Sequence, residues 1–468
     1  MILVRLLTVE EFGRYREFLL YVSLLTALCA FGINNSLLYF IPSRDGGARQ
    51  MLWQSTALTF VSTVLLVGGM LVLDQLTNGA LVGDLALPVA LYVLLFVNLD
   101  FWEYYWLACR RTLPVFAYTS ARLVARIGVV VVAGFLSRDV NVIIWSLVAL
   151  EAVRVAGSLI AWRRLQQQGP QNAESCWREQ LRYCLPIGVA LILVVFNKSL
   201  GSLFVAKAMG AAALAQYAIG THVQPIITVL RNSLSDALLP EMAASKQAIG
   251  AGALRLWRRA TVMAMVLLVA AAVILAEFAR PIVVTLFSQS YVAAVPIFQV
   301  YLLVLLREVF DFGVPLRAIN RTAPIVHSNL LSICLNLLLL AVMLPRWGLI
   351  GAVAAFTIAR YVEGLYLGWR TMRTYQVSLR ALASWSELGK IAIAASVAAA
   401  VFYGSFWTEH FGLGGVVLGA LAYLVVFAAL LILFRVQEIT TLLARAKNSH
   451  RLPIWRSEER RVGKECRS

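Results

Sequence analysis

Charge is what this chain has least of. Only 14% of its 468 residues are Asp, Glu, Lys or Arg, where a soluble domain averages about 25%, and that shortage excludes an ordinary water-soluble fold. Its four histidines form no HExxH-like pair, so the usual zinc-hydrolase pattern is missing. No GxxxxGK[ST] loop occurs, and nothing points to ATP hydrolysis. The six cysteines show no CxxC or metal spacing. Cys29, Cys109, Cys184 and Cys334 lie in apolar runs and read as small core residues. Long polar connections are scarce as well, which excludes a separate catalytic domain. No cofactor is called for.

What is present is apolar length. Residues of the AVILMFWYC class make up 60% of the chain. Crossing a bilayer takes roughly 20 apolar residues in a helix. Thirteen such runs are legible, at 15–40, 48–73, 85–110, 112–136, 141–162, 181–207, 212–243, 260–287, 293–319, 322–344, 348–373, 387–408 and 412–434. The expectation is an all-α polytopic membrane protein. The main polar break, RRLQQQGPQNAESCWREQ, follows Trp162. It divides an N-terminal lobe (1–164) from a C-terminal lobe core (181–373), with a cytoplasmic linker at 165–180. A basic, partly apolar segment at 374–386 is expected to lie along the membrane surface. The last two helices fill 387–434, and 435–455 is a cytoplasmic tail.

The net charge of +17 reads as topology rather than as nucleic-acid binding, because the cations concentrate in alternate short connections. Arg44/Arg49, Arg110/Arg111, Arg163/Arg164/Arg178/Arg182, Lys246/Arg255/Arg258/Arg259, Arg317/Arg321, Arg370/Arg373/Arg380/Lys390 and Arg445/Lys447/Arg451 fall on one side. The opposite connections carry Arg138, Lys207, Arg280 and Arg346 singly, or nothing. The richer side and the C-terminus are expected in the cytoplasm. One connection breaks the pattern, the first, with Arg14 and Arg16.

Ionisable residues inside the spans are costly and mark pathways or partners. Some have an acid within a helical turn: Glu151 with Arg154, Arg360 with Glu363, and Arg307 with Asp311 beside Glu308. These read first as structural pairs. Arg122 and Arg126 lie four apart on one face with no acid between them. They need an anion to compensate them, either Asp100 and Glu103 of the preceding span or a ligand. Lys198, beside Asn197, sits near the centre of its span, and Arg231 lies deeper in 212–243 with Asp236 out of step. Arg122, Arg126, Lys198 and Arg231 are the candidate cavity cations. Asp100, Glu103, Asn197, Arg307, Asp311 and Arg360 are candidate cavity or coupling groups. Tyr104, Tyr105 and Trp106 could face a glycan, though aromatics near a span end more often form an interfacial belt.

Several segments resemble polysaccharide-export flippases of the multidrug/oligosaccharidyl-lipid/polysaccharide exporter superfamily. ILVRLLTVEEFGRYREFLLY is similar to the end of that family's first helix and the start of its second. FGINNSLLYFIPS is similar to the end of the second. LPIGVALILVVFNKSLGSLFVAKAMGAAALAQYAIG resembles the seventh and the turn into the eighth. ARPIVVTLFSQSYVAAVPIFQVYLLVLL and LNLLLLAVMLPRWGLIGAVAAFTIARYVEG resemble the ninth to twelfth. The resemblance implies two helical lobes around a central cavity and a fourteen-helix plan, of which this chain would hold thirteen full helices and a truncated first. It implies alternating-access flipping of an undecaprenyl-pyrophosphate-linked oligosaccharide across the bacterial inner membrane, for O-antigen, capsule or exopolysaccharide synthesis. The expected partners are that lipid-linked oligosaccharide, membrane lipids, and the polymerase and glycosyltransferases of the pathway. A drug exporter of the same superfamily is the alternative, and a polytopic polymerase or ligase a weaker one. A chain short of its first helix is expected to assemble poorly. The terminal RSEERRVGKECRS (456–468) resembles the translation of a sequencing-adapter oligonucleotide and is set apart from the fold.

Overall fold

The computed structural model describes residues 2–43, 48–166, 177–222, 238–239, 242, 254–401 and 404–441. Among them there is no strand. That is what lipid demands: every backbone N–H and C=O must find a partner within the segment, and a helix provides one.

The chain opens with a short helix, α1 (Ile2–Leu6), and α2 (Val9–Ala30) follows. Thr8 starts α2 through a capping box: its hydroxyl accepts from Glu11 N–H, and the Glu11 carboxylate accepts from Thr8 N–H. Phe31 and Gly32 take left-handed backbone, and α3 (Ile33–Ser43) resumes beyond them. Next come α4 (Ala48–Leu76), α5 (Ala86–Val97) and α6 (Trp102–Ala108). After these run α7 (Thr112–Ser137), α8 (Val140–Gln166) and α9 (Trp177–Gly220). The later part of the chain holds α10 (Leu254–Glu277), α11 (Ala279–Leu286), α12 (Val295–Glu308), α13 (Gly313–Ala318) and α14 (Ala323–Tyr375). It closes with α15 (Leu379–Leu382), α16 (Trp385–Val401) and α17 (Gly404–Leu433).

Among the described residues, ten continuous helical stretches are long and apolar enough to cross a membrane. Two are too long for one crossing. A 53-residue helix would reach about 80 Å at 1.5 Å per residue, against a hydrocarbon core of about 30 Å. Both bend at a glycine in a conformation that no L-residue helix adopts: Gly210 (φ 83°) in α9 and Gly348 (φ 55°) in α14. The kink in α14 leaves 25 and 27 residues on its two sides, enough for two crossings joined at Gly348, whereas α9 is described for ten residues beyond Gly210. The kinks fall in or beside the short gaps, 208–211 and 345–347, that separate the apolar runs in the sequence.

The chain forms two compact units. The first comprises Met1–His222, Val283–Tyr301 and Val326–Glu363. Its core gathers Phe18, Val89, Tyr92, Val93, Ile143, Ile144 and Leu147, all essentially inaccessible. Lipid offers no hydrophobic drive between helices, so close approach of small residues takes over. A Cβ on Gly13 of α2 would collide with the Ala211 carbonyl of α9, and one on Gly188 with the Phe31 carbonyl. The outward faces are apolar instead of polar, as on α7, where Val124 is 68% and Leu136 83% exposed. The second unit comprises Val223–Ile282, Leu302–Ile325 and Gly364–Ser468. Its core centres on Trp257, Tyr375, Ile391, Ala394, Tyr423 and Phe427. There the Tyr375 hydroxyl donates to the Pro315 carbonyl at 2.9 Å.

Candidate anion-binding cavity

The first unit carries a half-open cavity of about 510 Å³. Its walls come from α1, α2, α7, the end of α9 and Phe287. Most of the lining is aliphatic, with Leu19, Ile127, Val130 and Val131 typical. The polar lining is cationic or neutral: Arg16 and Tyr15 from α2, Arg126 from α7, and His222 at the rim. Among the described residues no carboxylate lines the cavity, and neither Arg16 nor Arg126 forms an ion pair. Both guanidiniums line the same mostly apolar pocket, where like charges are unfavourable without an anion. The arrangement suits an anion that bridges them.

The positions follow from local structure. The capping box begins α2 at Val9, so Arg16 is helical and lies two turns inside the membrane helix. Glu10 and Glu11 occupy the first turn of α2, where its dipole favours negative charge, and not the cavity. Arg126 lies midway along α7, one turn beyond Arg122 on the same face.

Arg122 is engaged differently. Its Nη1 donates to Asp100 Oδ1 at 2.5 Å, its Nη2 lies 3.8 Å from Glu151 Oε1, and its guanidinium covers the Phe96 ring at 4.8 Å. Asp100 belongs to the break between α5 and α6. There Asn98 is extended and Leu99 is left-handed (φ 56°), which leaves the last carbonyls of α5 without helical partners. Arg154 of α8 supplies the donors. It reaches the carbonyls of Leu95, Phe96, Asn98 (3.1 Å) and Leu99 (3.2 Å) while its Nε pairs with Glu151. Two acids and two arginines form a neutral tetrad behind the cavity. Glu103, half-buried in the first turn of α6, stands outside it.

The remaining candidates are placed elsewhere. Asn197 is buried and donates to Ser332 Oγ at 3.3 Å, while Asn336 reaches its Oδ1 at 3.5 Å. Such a polar ladder joins α9 to α14. Lys198, the next residue, is exposed and does not line this cavity. Arg360 pairs with Glu363. Arg307 lies 3.6 Å from Glu308. Asp311 accepts from Gly313 N–H at 3.0 Å. Arg231 and Asp236 lie outside the described residues. Tyr105 and Trp106 pack with Trp102 and Tyr118 in an aromatic cluster.

The residue missed in the sequence is Arg16. Its signal was available: the first connection was the one exception to the alternation of basic loops, because Arg14 and Arg16 are not in a loop at all.

Comparisons place this architecture. The chain is similar to a lipid II flippase, MurJ, in an inward closed conformation. The TM-score is 0.69 at 15% identity, over 92% of this chain and 96% of that one. It is also similar to a multidrug resistance MATE family transporter of the MOP superfamily in an inward-facing conformation. There the TM-score is 0.59 at 16% identity, over 81% and 94% of the two chains. No curated protein matches in sequence. At these identities the likeness establishes the fold, a multi-pass helical membrane architecture. A family model for polysaccharide biosynthesis proteins matches residues 2–296, well over half of the sequence, and the chain therefore belongs to the polysaccharide biosynthesis protein family.

Proposed function

We propose that this protein is a flippase. It carries an undecaprenyl-pyrophosphate-linked oligosaccharide across the bacterial inner membrane by alternating access, for O-antigen, capsule or exopolysaccharide assembly, with its C-terminus in the cytoplasm. The observation that carries this reading is the cavity with two arginines and no acid. A pyrophosphate brings about two negative charges into a medium where an isolated ion costs many kcal/mol. Preplaced guanidiniums offset that cost and grip phosphate oxygens in pairs. The aliphatic wall keeps the local dielectric low, which strengthens the contact. The isoprenoid tail stays in lipid, against the apolar face of α7. Family membership supports a saccharide cargo, and the likeness to a lipid II flippase supports a lipid carrier. A cation-selective drug pump would need the opposite charge in this cavity. Lys198 and Arg231 are assigned to the same anionic cargo.

The test is export in cells. Arg16→Gln with Arg126→Gln is expected to lower surface glycan by about tenfold or more, the scale of losing one charge-assisted contact of about 1.5–3 kcal/mol, at unchanged membrane levels. Full complementation of a flippase-null strain by that double variant would refute the assignment.

A further inference from the structure

The tetrad behind the cavity is not a closed structural unit. Arg122 stands one turn from Arg126, about 6 Å away at Cβ, and only part of its guanidinium is used. Nη1 holds Asp100, but Nη2 is buried and makes no hydrogen bond. A second unused donor lies close by. Tyr92 is wholly buried, its hydroxyl has no partner, and it stands within electrostatic reach of Arg122, Arg126, Glu151 and Tyr15. Phe96 links the two, stacked on Tyr92 at 5.5 Å and lying under Arg122. Buried donors without acceptors are uncommon and destabilising. Arg122 does not itself line the cavity; it stands one turn from Arg126, which does, and its charge is shared between Asp100 and Glu151, the latter 3.8 Å from Nη2.

We infer that Asp100 is a positioning residue that sets the phosphate selectivity of the cavity, by holding Arg122 in reserve until a second phosphoryl group competes for it. The inference rests on the reading of the cavity as an anion site. Arg16 and Arg126 together satisfy one phosphoryl group. A diphosphate extends farther and finds Arg122, whose attraction to Asp100 must then be shared. A monophosphate gains little from that exchange. Asp100 belongs to the break between α5 and α6, so drawing Arg122 away loosens that break while Arg154 still clamps its carbonyls. Loading a diphosphate is thereby coupled to the break between α5 and α6, and a monophosphate is not.

The sign of the effect separates this role from a structural one. Removing a buried partner ordinarily weakens everything, whereas removing Asp100 frees a positive charge for the ligand. Binding of inorganic pyrophosphate and of inorganic phosphate is measured by calorimetry on the purified full chain in detergent. Asp100→Asn is expected to tighten pyrophosphate binding by about tenfold or more, the scale of one unit charge at this range, and to change phosphate binding far less. Unchanged or weaker pyrophosphate binding in Asp100→Asn, with Arg16→Gln and Arg126→Gln still weakening it, overturns the role of Asp100 and leaves the cavity intact. Pyrophosphate binding indifferent to Arg16→Gln and Arg126→Gln overturns the cavity reading itself. If Asp100→Asn does not fold, Arg122→Gln is compared with Arg122→Gln/Asp100→Asn. The double variant is expected to bind more tightly because the bare carboxylate is gone, and equal binding of the two overturns the inference.

Discussion

Two helices of this molecule are broken in the same way and repaired in different ways. The stretch from Gly83 to Ala108 starts with a 3-10 turn, runs as α5, unwinds at Asn98–Phe101 and resumes as α6. The stretch from Gln289 to Ala318 has the same order: a 3-10 turn, α12, a break after Glu308, and α13. At the first break the orphan carbonyls are taken by Arg154, a charge lent by another helix, which needs Glu151 to balance it. At the second the repair is short-range, and the charges beside it pair within the same stretch, Arg307 at 3.6 Å from Glu308 and Arg317 at 3.9 Å from Asp311. Asp311 caps Gly313, the Trp257 indole donates to the Asp311 carbonyl at 3.0 Å, and Phe310, Phe312 and Trp257 stack. Backbone may leave the helix at membrane depth only where protein covers it. The first repair draws its donor from a distant helix, and the second uses groups of its own stretch and Trp257. The first is the one whose residues stand next to Arg126 of the cavity.

Breaking the first repair is expected to have the largest effect. Arg154→Met leaves four carbonyls without donors and Glu151 with only the 3.8 Å contact to Arg122, and should cost about 3–5 kcal/mol, the range for a buried pair stripped of one partner. Unfolding of the purified protein by denaturant in detergent reads this, and a loss no greater than for the second break would erase the contrast. Asp311→Ala removes a single carboxylate cap and should cost about 1 kcal/mol. Trp257→Phe keeps the ring stack and removes one hydrogen bond, for about 0.5–1.5 kcal/mol. If either of these two variants abolished transport at normal expression, the view that only the first break serves the cargo would fall.

The membrane fold was readable in the sequence because the bilayer imposes one length and one composition on every crossing. The glycine kinks at 210 and 348 fall at or beside sequence gaps for the same reason: a crossing has to end there. Arg126 was legible as a like-charge neighbour of Arg122 with no acid between them. The engagement of Arg122 by Asp100 was visible as one of two alternatives, since antiparallel neighbours can pair, but a one-dimensional pattern carries no distance with which to choose. Arg154 was read as half of an i,i+3 pair with Glu151. Its larger task, donating to carbonyls more than fifty residues away in the chain, leaves no periodic trace. Arg16 was hidden because it was counted with Arg14 in the first connection, although the apolar run from 15 already held it. Thr8 and Glu11 form a capping box that starts the helix at Val9 and sets Arg16 two turns inside it. That signal is local, and attention to the cap would have found it.

The central claim is that two arginines facing one apolar cavity carry the anionic group of a lipid-linked saccharide. Its most direct test is the rate at which purified protein in proteoliposomes exposes an undecaprenyl-pyrophosphate-linked oligosaccharide on the opposite leaflet, wild type against the Arg16→Gln/Arg126→Gln double variant. The account predicts a rate lower by about tenfold or more for the variant, on the scale of a lost charge-assisted contact; equal rates at equal protein content would contradict it.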